Sequence, residues 1–258
     1  MQQRQFQGFA FHLAGKLALV GMFVLFSVIA FHSADAQQGA APLSGQGNAA
    51  APAQARTDGF DMQVREDFFA GMTGNQARLD KGMKFCEAML AKQPQHPEAL
   101  VWHGAGLMYQ SGRSFQAGDM QTGMEMWQRG LQEMETAVNL APANVAVLIP
   151  RAACLNEMSK YIPVPEMADE LLTIAVNDYE VVYKLQQPYL AKLTPHARGE
   201  LLTALATGWH RLGQEAKARP YFELLAKEPA GTTYITTAQT WLEKKTLPAK
   251  ITCAGCHV

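Results

Sequence analysis

The chain has 258 residues, of which 48% are hydrophobic and 17% charged, and its formal net charge is −1. A chain of this length suffices for one domain with a sizeable core or for one repeat array, and the near balance of charge excludes the basic footprint of a nucleic-acid binder. Four cysteines leave pairing open in an oxidising compartment, although two of them belong to a more specific motif at the end of the chain.

Residues 1–36 read as a secretory signal. Arg4 and Lys16 lie in a basic n-region, an apolar stretch runs from Leu17 to Phe31, and Ala34-Asp35-Ala36 puts small residues where a signal peptidase reads, so cleavage is expected before Gln37. The alternative is an uncleaved inner-membrane anchor, against which the 15 apolar residues are short of the roughly 20 that span a bilayer. No cysteine follows the apolar run to take a lipid. The expected mature chain has 222 residues, carries a formal charge of −2 without Arg4, Lys16 and Asp35, and resides in the periplasm.

Residues 37–59 consist almost wholly of Gln, Gly, Ala, Pro, Ser and Asn, with Leu43 as the one large apolar side chain. Such a stretch buries too little to offset its ordering entropy and is expected to be a flexible tether. From Phe60 the pattern changes to apolar residues every three or four positions among Leu, Met, Ala, Gln, Glu and Lys, which predicts helices through residues 60–245. Breaks are predicted at Pro94–Pro97, Pro142, Pro163–Pro165, Pro195, Pro229 and Pro248. The β-branched runs Val145–Ile149 and Gly231–Thr237 are short and lie beside helical periodicity, so an all-α fold is expected. Met83, Met89, Met108, Met120, Met124, Met126 and Met134 read as core filler.

Internal repetition is clearest from Leu202 to Pro229. Leu202, Leu205, Ala206 and Trp209 share one helical face, Gly213 marks a turn, and Ala218, Phe222 and Leu225 resume before Lys-Glu-Pro. These residues resemble the tetratricopeptide repeat, which implies an α-solenoid of antiparallel helix pairs. A stretched copy starts near Pro97 with Val101, Ala105 and Met108 before Gly112, and closes with Gly130, Met134, Ala137 and Pro142; it holds about thirteen residues more than the standard repeat. Phe85 and Ala88 form a half-copy after an opening helix with Phe68, Phe69 and Met72, and residues 145–192 supply a further pair around Leu148, Ala152 and Leu155. A non-repeating helical bundle is the competing arrangement.

The resemblance also implies a concave face that binds protein along the first helix of each pair. Carried over by offset, that face takes Trp102, Gly106 and Tyr109 from one repeat and Thr203, Thr207 and His210 from another. Trp102 and Tyr109 have an alternative role in packing between repeats.

Residues 246–258 form a C-terminal tail that ends in Cys253-Ala254-Gly255-Cys256-His257. Two thiols three positions apart can form thioethers with the vinyl groups of a haem, and the adjacent imidazole can ligate its iron. Cys253 and Cys256 are therefore the expected covalent anchors of one haem c, with His257 as the proximal ligand. A redox Cys-x-x-Cys pair, a zinc site and a plain disulfide are the other readings. In small c-type cytochromes the motif opens the fold, whereas only Val258 follows here, so any cover for the haem comes from elsewhere. His210, His103 and His196 are candidates for the second axial ligand, and so are many of the methionines. Cys86 and Cys154 read as small buried hydrophobes or a bridge.

No Gly-rich phosphate loop, His-Glu-x-x-His or Gly-x-Ser-x-Gly is present, and Glu133 with Glu135 and Asp169 with Glu170 read as solvated helix faces. The expectation is an exported, haem-bearing, tetratricopeptide-like electron carrier or redox-assembly component that docks a protein partner, with no small-molecule substrate and no enzymatic constellation. The alternative is a haem-free periplasmic scaffold closed at its end by a disulfide or metal clip.

Overall fold

The computed structural model describes residues 59–228 and 233–247, and every regular element among them is helical. In chain order these are α1 (Phe60–Met72), α2 (Gln76–Lys92), α3 (Pro97–Gln116), α4 (Met120–Leu140), α5 (Val145–Met158), α6 (Pro165–Gln186), α7 (Pro195–Arg211), α8 (Glu215–Leu225) and α9 (Thr233–Lys244). A 3-10 turn, Gln187–Lys192, joins α6 to α7. The fold class is all-α. Val145–Ile149 opens α5 and 233–237 opens α9, so the first β-branched run and the described part of the second are helical.

Local chemistry sets the helix starts. Pro97, Pro165 and Pro195 sit in the first turns of α3, α6 and α7, where a missing N–H costs no intrahelical bond. The side chains of Asn75, Asp119, Asn144 and Thr194 accept from backbone N–H groups at the starts of α2, α4, α5 and α7. His96 does the same for α3, its Nδ1 accepting from the Ala99 N–H at 3.2 Å. Gly74, Gly118 and Gly213 take positive φ after α1, α3 and α7, at 117°, 84° and 69°.

Contacts are densest between chain neighbours, in the pairs α1–α2, α3–α4, α5–α6 and α7–α8. Beyond these pairs, α3 meets α1, α2 and α5, while α6 meets α7 and α9 meets α8. The α3–α4 contact is the most extensive because two glycines cross. A Cβ on Gly104 would lie 2.7 Å from the Gly130 carbonyl oxygen, and one on Gly130 would lie 2.8 Å from that of Gly104. Met108 and Met134 pack one turn on from the glycines, and both are buried.

The apolar face read between Leu202 and Pro229 forms as expected. Leu202, Leu205, Ala206, Trp209, Ala218, Phe222 and Leu225 are all buried, and the turn falls at Gly213. Val101, Ala105, Met108, Leu148, Ala152 and Leu155 are buried as well. Met83 joins Met108 and Met134 in the core, with Met89 and Met126 packed on its edge.

Two registers differ from expectation. Gly112 does not end a helix: α3 continues to Gln116 and the turn is made by Gly118. Most of the surplus length lies in α4, which has 21 residues where α8 has 11. In α2 the core face is Leu79, Gly82, Met83 and Cys86, whereas Phe85 is 40% exposed and Ala88 is exposed. A small thiol thus occupies the core position expected for Phe85, whose ring lies 5.4 Å from that of Phe60 instead.

Candidate functional site

The haem-motif residues Cys253, Cys256 and His257 lie outside the described residues. The last described helix, α9, packs on α8 and touches α7. Trp241 of α9 is 1% exposed and stacks on Phe222 of α8, with ring centroids 4.2 Å apart at 16°. Its indole N–H donates to His210 Nδ1 of α7 at 3.0 Å, and the Lys245 ammonium sits 4.1 Å from the indole centroid.

The residues expected on a partner-facing strip divide. Trp102 is buried at 4% exposure, packs against Phe68 and Phe69 of α1, and donates to Asp61 Oδ1 at 3.1 Å. Burial pushes the Asp61 carboxyl up, partly offset by Arg65 and the Trp102 bond. Gly106 lies under Met83 and Phe68, and Thr203 and Thr207 are buried, with the Thr207 hydroxyl donating to the Thr203 carbonyl at 2.8 Å. Trp102, Gly106, Thr203 and Thr207 are therefore interior packing residues and not part of an open strip. Tyr109 and His210 are half-buried. Because Trp102 finds its partners in α1 and His210 in α9, the two expected triplets serve separate contacts.

Two polar clusters escaped the sequence reading. Glu180 of α6 accepts at Oε1 from the Trp209 indole at 2.8 Å and from the Tyr221 hydroxyl at 2.7 Å, which ties α6, α7 and α8 together. Tyr183 meets Tyr221 edge-on at 5.2 Å, and Lys217 lies 4.1 Å from the Trp209 centroid. Burial raises the Tyr221 phenol, and the Glu180 carboxylate raises it further, so it stays a donor. The second cluster centres on His103, 2% exposed, whose Nδ1 is 2.5 Å from Glu133 Oε2 and whose Nε2 is 3.8 Å from Glu87 Oε1. Arg129 donates to the other Glu133 oxygen at 2.8 Å. Glu133 is thus a partly buried partner of His103 and not the solvated residue expected, while Glu135, Asp169 and Glu170 are exposed. No short motif marks either cluster, since each joins residues of three different helices.

Cys86 and Cys154 are free and buried, in α2 and α5. Burial pushes the Cys86 thiol far up, and Glu133 and Glu87 add to it; burial with Glu157 pushes Cys154 up to about 12. Burial favours the protonated thiol at both positions. Among the described residues no group of three or more His, Cys, Asp or Glu side chains is placed to hold a metal ion. An open pocket of about 270 Å³ lies among Leu190, Leu202 and Leu224, bordered by the Arg198–Glu228 ion pair. It falls below the roughly 300–1,000 Å³ of sites that enclose a drug-sized ligand. Among the described residues no helix is long and apolar enough to cross a membrane.

Comparison with protein-family models, with curated proteins and with solved structures returned no match.

Proposed function

We propose that this is an exported, c-type haem-bearing protein whose helical body, a tetratricopeptide-like solenoid of antiparallel helix pairs, docks a protein partner while its tail carries the haem in electron transfer or redox-complex assembly. The observation that carries the reading is Cys253-Ala254-Gly255-Cys256-His257 behind a signal-like N-terminus. The donor set suits the group: two thiols at thioether spacing and an adjacent imidazole, while the other two cysteines, Cys86 and Cys154, are buried in the helical body. Cys253 and Cys256 anchor the porphyrin, and His257 is the proximal ligand. The haem supplies a one-electron couple. The preference of each helix for its chain neighbour, in four successive pairs, supports the solenoid.

The test is a pyridine haemochrome spectrum with intact mass on protein expressed beside a cytochrome c maturation system. One haem of added mass on a chain beginning at Gln37 is expected, with colour lost in Cys253→Ala and Cys256→Ala. In His257→Ala the normal ligation signature is expected to disappear. A colourless chain at unmodified mass, with a control cytochrome matured in the same cells, overturns the haem reading and leaves the periplasmic scaffold.

A further inference from the structure

His103 is buried in α3 between two carboxylates that come from different helices. On one side, Glu133 of α4 accepts from the Arg129 Nε–H through Oε1 at 2.8 Å and presents Oε2 to His103 Nδ1 at 2.5 Å. An ionised carboxylate only accepts, so the ring donates here, and the proton of the neutral imidazole lies on Nδ1. On the other side, Glu87 of α2 places Oε1 3.8 Å from Nε2. In the neutral ring Nε2 is a bare lone pair, so one acceptor faces another beyond hydrogen-bond reach. The neutral ring is bonded to α4 and leaves α2 without a bond.

A proton arriving at Nε2 changes that arrangement. The nitrogen becomes a donor, and the ring becomes an imidazolium between two carboxylates. A shift of roughly 1 Å then brings Glu87 into charge-assisted hydrogen-bond range. The Glu87 side chain is exposed and has room to make it. Charging a buried imidazole costs desolvation, which opposite charges on both sides offset. Arg129 opposes the charge from beyond Glu133, but it is exposed and screened by water. Cys86 of α2 lies near the same two carboxylates, which add to burial in favouring its protonated thiol, so it brings no competing charge.

We propose that His103 is a proton-operated clamp: uptake of a proton at Nε2 joins α2 to the α3–α4 pair through Glu87, and its release frees that link. The first helix pair is thereby held more tightly at low pH. The clamp lies within the helical body and works with or without haem on the tail.

Glu87→Gln on the full chain tests it, because the amide keeps the surface position without the charge and its NH2 can donate to a bare Nε2. Long-range proton–nitrogen correlation spectra between about pH 8 and pH 5 follow the ring directly. In the parent, the proton is expected on Nδ1 at the upper end and on both nitrogens at the lower end, with the fold kept. In Glu87→Gln the midpoint of that change is expected at lower pH, a proton affinity weakened at least about threefold. Urea midpoints give a second reading. The clamp contributes while the ring is charged and is lost as pH rises through its titration, so the parent's advantage over Glu87→Gln is expected to be larger at about pH 5.5 than at about pH 8. Every other titrating group is common to the two proteins and cancels. A neutral-ring proton on Nε2, a ring that stays neutral until the chain unfolds, a midpoint unmoved in Glu87→Gln, or an advantage no larger in acid each overturns the clamp.

Discussion

The α3–α4 and α7–α8 pairs align in sequence around a glycine-marked turn, yet different parts of the polypeptide join them. In α3–α4 the contact is bare backbone: Gly104 and Gly130 cross so closely that a Cβ on either meets the other's carbonyl oxygen at 2.7–2.8 Å. In the α7–α8 region large side chains carry the contact, with Trp209 and Tyr221 both donating to Glu180 of α6 and Phe222 stacked on Trp241 of α9. A helix pair of one sequence type can therefore be closed by removing side chains or by adding them. Close backbone approach permits long helices to stay in contact, as α3 and α4 do over 20 and 21 residues. Bridging through Glu180 ties short α8, with 11 residues, to a third helix.

The largest effect on this contrast is expected from Gly104→Ala. The new methyl meets Gly130 O at 2.7 Å and Met134 N at 3.2 Å, backbone atoms that cannot rotate away. The helices must separate, and overpacking of this kind costs about 2–3 kcal/mol, read as a lower urea midpoint. An unchanged midpoint would show that the crossing has slack. The second effect is in the other pair. Glu180→Ala leaves the buried Trp209 N–H and the Tyr221 hydroxyl without their acceptor, at a cost of about 2 kcal/mol. Glu180→Gln retains a carbonyl in place of Oε1 and is expected to lose less than half of that; equal losses would mean that charge, and not acceptance, holds the bridge.

Third, Gly213→Ala places a Cβ at φ 69°, where the left-handed backbone disfavours it by about 1 kcal/mol. Nothing lies within 4 Å of the added carbon, so the loss is conformational. It is expected to appear in stability with no change in helix content measured by circular dichroism.

The all-α class and the faces of α5 and α7 were legible because Leu148, Leu155, Leu202 and Leu205 recur at helical spacing. The register of α2 was legible only in part, since Cys86 read as a small buried residue but its neighbour Phe85 read as core too, and Phe85 is exposed. Gly112 was aligned with Gly213 by its place in the repeat pattern, but it lies inside α3, and the residue that takes positive φ is Gly118. Trp102 and Thr203 were placed on a binding face by offset from a repeat pattern, which records periodicity but not which neighbour covers a side chain. The tail motif is legible in five consecutive residues. The hydrogen bond from Trp241 to His210 joins residues 31 positions apart and needed the packed helices to be seen.

The smallest effect separates packing from propensity within one helix. Gly112, like Gly104, lies inside α3, but a Cβ there has nothing within 4 Å and the backbone is not left-handed. Replacing an unencumbered helical glycine with alanine removes backbone freedom from the unfolded chain and adds helix propensity, a gain of about 0.5–1 kcal/mol. Gly112→Ala is therefore expected to raise the urea midpoint, while the same substitution eight residues earlier lowers it. Combined, the two changes should add, because they share no partner. A loss of stability in Gly112→Ala would mean that α3 needs a hinge at that position, and the continuous helix from Pro97 to Gln116 would have to be read as two.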